Sequence, residues 1–177
     1  MPISKLIVEG FKSLRDRTEV DLANLTILAG ANSSGKSSVM QPLLLLKQSY
    51  EVGYDPGPLL ISGPNVDFSE ATQMFWCTAD DEARQFKVGV GLDISGKVGD
   101  IEIEFGRKYE RGQLPIVIDS FTWFAEGESF TLAPDLTSDY LRDHLPPRFR
   151  QLELNRSSDP EVTRDLQVVR DRCVLGI

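Results

Sequence analysis

Residues 30–37 read Gly30-Ala31-Asn32-Ser33-Ser34-Gly35-Lys36-Ser37, a match to G-x-x-x-x-G-K-[ST] without departure. Gly30 and Gly35 permit backbone conformations and close approaches that a side chain would block. Loop amides turned inward then form an anion nest around a β-phosphate. A helix beginning near Gly35 aims its positive end at the same phosphates. In this chemistry Lys36 reaches β- and γ-phosphate oxygens and the Ser37 hydroxyl holds Mg²⁺. Ser38, one residue further round the helix, buttresses the α-phosphate. Asn32 and Ser33 form the loop tip, where Asn32 either caps the loop or faces the γ-phosphate. The implied ligand is a nucleoside triphosphate, ATP with Mg²⁺, held by Gly30 through Ser38. The competing reading is a Gly/Ser-rich turn that binds nothing, and the flanking elements decide between the two.

Those elements can be read from periodicity. Lys5 to Phe11 alternates and predicts a strand that turns at Gly10 or just after Phe11. Arg15-Asp16-Arg17 is a polar turn, and Thr18 to Leu22 predicts the hairpin partner. Leu25-Thr26-Ile27-Leu28-Ala29 is a short continuous apolar run, as expected of a buried strand in a parallel sheet immediately before the loop. Lys36 to about Tyr50 carries a helical load of Val39, Met40, Leu43, Leu44, Leu45 and Leu46, with Pro42 expected to bend it. Gly53, Gly57 and Gly63 with Pro56, Pro58 and Pro64 mark a loop. Phe68 to Cys77 predicts a short helix or an irregular segment.

From Arg84 the pattern changes to strict alternation. Phe86–Ile94, Ile101–Phe105, Ile116–Phe124 and Glu128–Leu132 predict an antiparallel meander with one wet face. Gly96-Lys97, Arg111-Gly112 and Glu126-Gly127 punctuate it. From Asp135 the chain turns helical and charged, Pro146-Pro147 breaks it, and a last helix is expected from Ser157 to about Cys173. The fold class is therefore α/β. Its expected parts are a P-loop core lobe over 1–80, the antiparallel meander over 81–134, and a charged helical segment over 135–177.

The chain has 177 residues, 41% hydrophobic and 26% charged, enough for one real core. A net charge of −8 argues against long-range attraction to nucleic acid by this chain alone. Cys77 and Cys173 with the single His144 make neither a disulfide framework nor a zinc site. No signal peptide is legible, and the longest apolar run, Leu43–Leu46, is far short of a membrane span. The expectation is a cytoplasmic protein with no membrane partner.

The stretches Lys5-Leu-Ile-Val-Glu-Gly-Phe-Lys-Ser-Leu14, Leu25-Thr-Ile-Leu-Ala-Gly-Ala-Asn-Ser-Ser-Gly-Lys-Ser-Ser38 and Gln41-Pro-Leu-Leu-Leu-Leu-Lys-Gln-Ser49 resemble the N-terminal end of an ABC-type ATPase head of the SMC/RecF/OLD group. More narrowly, they are similar to prokaryotic AAA-family ATPases with an Asn-Ser-Ser-Gly-Lys-Ser-Ser loop. The resemblance covers about the first 75 residues. It implies an ABC/SMC-like P-loop lobe flanked by an antiparallel β-subdomain, with ATP sandwiched between two heads. It also implies a homodimer or higher oligomer, a partner nuclease or effector chain, DNA reached through a partner, and a role in DNA repair or anti-phage defence. The turn after the first strand lies near adenine and ribose in such heads, so Lys12 or Arg15 is a candidate contact there.

A working head of this kind also needs a Ser-Gly-Gly signature and a Walker B strand ending in Asp-Glu, the Asp for Mg²⁺ and the Glu for water. Leu60-Ile61-Ser62-Gly63 is not such a signature. Ile116-Val117-Ile118-Asp119-Ser120 is the one hydrophobic run ending in an acid, so Asp119 is the catalytic candidate. The alternative for Asp119 is a meander residue that begins a turn or faces solvent, and Ser120 stands where the Glu should be. Gln73, ahead of Gln48, is the candidate glutamine for Mg²⁺ or water. The alternative for both is an exposed polar residue. Arg142, Arg148, Arg150 and Arg156 around Phe149 read as a DNA patch or, because Asp139, Asp143, Glu153 and Asp159 intersperse them, as a charge-mixed exposed face. The apolar ending Cys173–Ile177 suggests an interrupted domain. Two functions stand: the ATP-binding part of an ATPase whose remaining catalytic residues are supplied elsewhere, or a non-catalytic nucleotide-binding assembly module. A nucleoside kinase is disfavoured, because a meander rather than helices and an Arg-rich lid follows the loop.

Overall fold

The computed structural model describes residues 3–32, 34–94, 97–107, 116–147, 167–169 and 174–176. Its centre is a six-stranded, wholly antiparallel sheet in the order β2-β1-β3-β4-β5-β6. The strands are β1 (Ile3–Glu9), β2 (Thr18–Asp21), β3 (Gln85–Ile94), β4 (Lys97–Arg107), β5 (Ile116–Ala125) and β6 (Glu128–Leu132). Helix α1 (Lys36–Glu51) and a 3₁₀ turn (Ala71–Met74) lie between β2 and β3, and α2 (Ser138–His144) follows β6.

Strict alternation sorts the residues of each strand onto two faces. On one face Leu6, Val8, Phe86, Val88, Phe105, Ile116 and Ile118 are buried. They pack with Val39 and Leu45 of α1, with Leu59, Val66, Phe68, Met74 and Phe75 from the α1–β3 connection, and with Leu141 and Leu145 near α2. A run of aromatic rings forms its spine. Phe11 meets Phe68 and Phe86 edge-on at 6.3 and 5.3 Å, and Phe86 stacks on Phe105 at 5.0 Å.

The other face carries charge. Lys5 donates to Asp100 at 2.6 Å, and Arg17 makes a forked pair with Glu102 at 3.0 and 2.6 Å while also bonding Glu19 at 2.7 Å. The register explains how such pairs reach over intervening strands. Ile7 and Gly89 lie between Glu19 and Glu102, and Gly91 lies between Lys5 and Asp100. A Cβ on Gly89 would meet Glu102 Cγ at 2.9 Å, and one on Gly91 would meet Lys5 Cβ at 2.8 Å. The bare backbone of β3 is the floor over which the pairs cross, and Ile7 is fully buried on this side.

Gln48, on α1, is 1% exposed and uses its whole amide. It donates to the carbonyls of Leu60 and Val66 at 2.7 and 3.0 Å and accepts from the amides of Asn65 and Val66 at 3.1 and 3.0 Å. This stitches the Gly/Pro loop to the helix, and it corrects the reading of Gln48 as an exposed residue or a Mg²⁺ contact.

The structure departs from the sequence reading in four further places. The expected boundary at residue 80 is crossed by the sheet, because β1 pairs with β2 on one side and β3 on the other. Leu25–Ala29 forms no strand, and Leu25 and Ile27 are each 78% exposed. A buried parallel strand needs neighbours for its backbone and both faces, and the described residues supply none. The expected α/β core with a parallel sheet is accordingly not what is seen: the sheet is antiparallel and the helices are few. Finally, the expected helix to Cys173 gives way at Gln167–Val169 (β7) and Val174–Gly176 (β8), which pair antiparallel. Short apolar, β-branched triplets favour that hairpin over a helix. Arg111-Gly112 and the cluster Arg148, Phe149, Arg150, Arg156 lie outside the described residues. No helix among the described residues is long and apolar enough to cross a membrane.

Gln48→Met keeps the volume but strands two carbonyls and two amides. The expected cost is on the order of 3 kcal/mol, read as a lower denaturant midpoint at unchanged slope. The charged face sets a pH response. The hydrogen bond from Arg17 holds Glu19 below its ordinary value, so its contribution is present above pH 4.5 and lost as the carboxylate protonates on further acidification. The hydrogen bond to Asp100 raises Lys5, whose contribution is lost only when pH climbs past 10.5 towards the raised value. Melting temperature should be flat across neutral pH and fall at both ends, with a shallower acid limb in Glu19→Gln.

Candidate nucleotide site

The loop at residues 30–35 leads into α1 without a side-chain cap. Gly35 occupies the N-cap position at φ 87°, and no acidic residue stands in the first turn. The opening amides of the helix therefore keep free N–H donors at its positive end. The Lys36 ammonium curls back over the loop, donating to the carbonyls of Gly30 and Ala31 at 2.9 and 2.5 Å and to Ser34 Oγ at 3.4 Å. The Ser34 amide bonds the Ala31 carbonyl at 3.3 Å, closing the turn. Ala31, Asn32, Ser34 and Ser37 are exposed, and Ser38 is buried. Ser33 lies outside the described residues.

Backbone donors, an ammonium and the exposed Ser37 hydroxyl thus lie together in one loop and the helical turn that follows it. That donor set fits a magnesium-bound triphosphate: amides and Lys36 for phosphate oxygens, Ser37 for the metal.

A turn that sequence reasoning underweighted braces this loop. Gly10 at φ 69° allows β1 to reverse, and a Cβ there would lie 2.5 Å from the Gln85 carbonyl oxygen. The reversal buries Phe11 and closes on Leu14 through paired backbone bonds of 2.9 Å. It carries Ser13 to Ser38, with Oγ–Oγ 3.1 Å, and Lys12 to Gln41, with Nζ–Oε1 3.1 Å. Lys12, itself at φ 51°, also lies 5.1 Å over the Phe68 ring. Arg15 turns instead to Trp76, at 4.6 Å from the ring, and to Asp81 at 3.5 Å. The signal available beforehand was Gly-Phe-Lys-Ser itself, a glycine reversal followed by two polar side chains.

Gln73 is exposed on the 3₁₀ turn, and the carbonyl of its neighbour Met74 accepts from the Lys12 amide at 2.9 Å. The segment carrying Gln73 is thus tied to the bracing turn. Asp119 is placed differently. It sits at an irregularity in the β4–β5 register and accepts from Gln85 Nε2 at 2.9 Å over the backbone of Gly106. A Walker B acid ends a strand of a parallel core, whereas Asp119 lies partly exposed in an antiparallel ladder on the charged face. Among the described residues no group of three or more His, Cys, Asp or Glu could hold a metal ion.

A family profile described as an AAA ATPase domain matches residues 1–119. No curated protein matches.

Gly35→Ala adds a Cβ at a left-handed position, 2.8 Å from Ser13 Oγ, whereas Gly57→Ala at φ 77° meets nothing within 4 Å. Both should lower melting temperature through backbone strain of about 1 kcal/mol. Only Gly35→Ala should also weaken ATP binding, measured by calorimetry.

Proposed function

Because the chain belongs to the AAA ATPase domain family, a family of nucleotide-binding proteins, we propose that it is the ATP-binding N-terminal portion of an ABC/SMC-like ATPase of the SMC/RecF/OLD group. Lys36 exchanges its carbonyl partners for β- and γ-phosphate oxygens, the loop and helix amides hold the β-phosphate, and Ser37 holds Mg²⁺. Asn32 and Gln73 are the residues assigned to the γ-phosphate and its metal. Hydrolysis waits for a signature motif and an Asp-Glu strand contributed by further polypeptide.

The observation that carries the ATP-binding reading is the loop itself, which enters α1 at a left-handed, uncapped Gly35 with Lys36 folded over it. The exposure of Leu25, Ile27 and Leu28 immediately before it, 78%, 78% and 36%, supports completion of the head by further polypeptide. An apolar run of that kind is stable only when covered. A strand laid beside it would bring its end to the phosphates, where a metal-binding acid is required. The place of Asp119 on an antiparallel strand, bonded to Gln85, supports the same view, since it leaves that role to another residue. Pairing of heads across ATP, a nuclease or effector partner, DNA reached through that partner, and a role in repair or anti-phage defence follow from the resemblance of residues 5–49 to such heads. The second reading, a nucleotide-binding assembly module without turnover, draws on the same placement of Asp119.

Calorimetry with ATP and Mg²⁺ should give a single site that Lys36→Ala abolishes; retained affinity in that variant would sink the assignment. The chain alone should show no turnover above the uncatalysed rate. Robust hydrolysis without a partner would mean that a catalytic carboxylate resides within these 177 residues.

A further inference from the structure

We propose that Ser13 is a positioning residue for the phosphate loop, acting through the hydroxyl of Ser38. The proposal rests on the nucleotide-site reading above and goes beyond it, because Ser13 lies outside the loop in sequence and need not touch the ligand. Ser13 Oγ donates to Ser38 Oγ at 3.1 Å. A serine hydroxyl has one proton and two lone pairs. With one lone pair engaged by Ser13, Ser38 keeps its own proton to donate, and that bond fixes the direction in which it does so.

Without Ser13 the Ser38 hydroxyl has a competing partner. A serine in a helix can turn its hydroxyl onto a backbone carbonyl one turn earlier, here that of Gly35, three residues before it. It would then point along the helix and away from a phosphate. Ser13 also sets the spacing of the loop, because its Oγ lies 2.8 Å from where a Cβ on Gly35 would be. The hydroxyl thus touches both the left-handed residue that begins α1 and the buried serine in its first turn. Its own position is held from the far side by the Phe11–Leu14 bonds and by the Lys12 amide on the Met74 carbonyl. Ser13 itself is exposed, so its replacement leaves no cavity.

Ser38 is assigned to the α-phosphate, which ATP and ADP share. Ser13→Ala should therefore weaken ATP and ADP by the same factor, about fivefold for one hydrogen bond, with or without Mg²⁺. Its melting temperature should match the parent. Ser37→Ala, by contrast, should weaken ATP more than ADP and only when Mg²⁺ is present. In a double-mutant cycle Ser13→Ala should add nothing to Ser38→Ala, and Ser13→Thr, which restores the hydroxyl, should recover the affinity. Unchanged affinity in Ser13→Ala, additive losses in the cycle, or no recovery in Ser13→Thr would each overturn the proposal. The Lys36→Ala variant run alongside separates the two ideas. If the parent binds ATP and Lys36→Ala does not, a parent-like Ser13→Ala removes only the role of Ser13. If the parent fails to bind, the nucleotide site falls and this proposal with it.

Discussion

The wedge formed by Gly10–Leu14 is the constraint on which the molecule depends. One side of it is committed to the sheet, where Gly10 lies against the Gln85 carbonyl with no room for a side chain. The other side meets the first turn of α1 through Ser13 and Lys12. Phe11, buried between them, joins the aromatic spine that runs through Phe86 to Phe105. A loop that must present amides to phosphate has few polar groups left to anchor itself to the rest of the fold. It has to be held from behind, and this turn does so.

The two faces of the sheet illustrate different solutions to burial. The core face relies on close-packed rings and branched side chains, whose contribution scales with area removed from water. The outer face relies on crossed ion pairs over a glycine floor, with Glu102 mostly buried beneath the Arg17 fork. Exposed pairs of this kind add little individually. The forked, partly buried Arg17–Glu102 pair is the one whose geometry makes it count.

Much of this was legible in advance. Alternation located β3 to β6 because a half-buried antiparallel strand writes its two faces directly into the sequence. The loop and α1 were legible because phosphate chemistry demands Gly, Lys and Ser at fixed spacing. The misreadings share a cause: the property in question is not local. Leu25–Ala29 has the composition of a buried strand, but burial belongs to neighbours, and the described residues do not provide them. Gln48 looked like a surface residue because nothing nearby in sequence reveals the carbonyls of Leu60 and Val66 that saturate it. The meander alternative is the one the antiparallel strand agrees with for Asp119. The register irregularity that turns it onto Gly106 and Gln85 could not be read from the run itself. The brace from Ser13 to Ser38 was hidden for the same reason, since two serines signal nothing until a glycine reversal brings them together.

The pairing of β1 with β3 also governs the order of assembly. Leu6 faces Val90 across the sheet, so the whole stretch containing the phosphate loop and α1 forms the insert of a loop closed by that pairing. Contacts separated so widely in sequence are slow to form, because the entropy of closing the loop is lost before the contact is gained. During synthesis the loop and its helix emerge while the strand that will lock their brace in place does not yet exist. Only when β3 arrives does Gly10 find the Gln85 carbonyl and the wedge close. The phosphate loop, early in the sequence, is thus completed late in time.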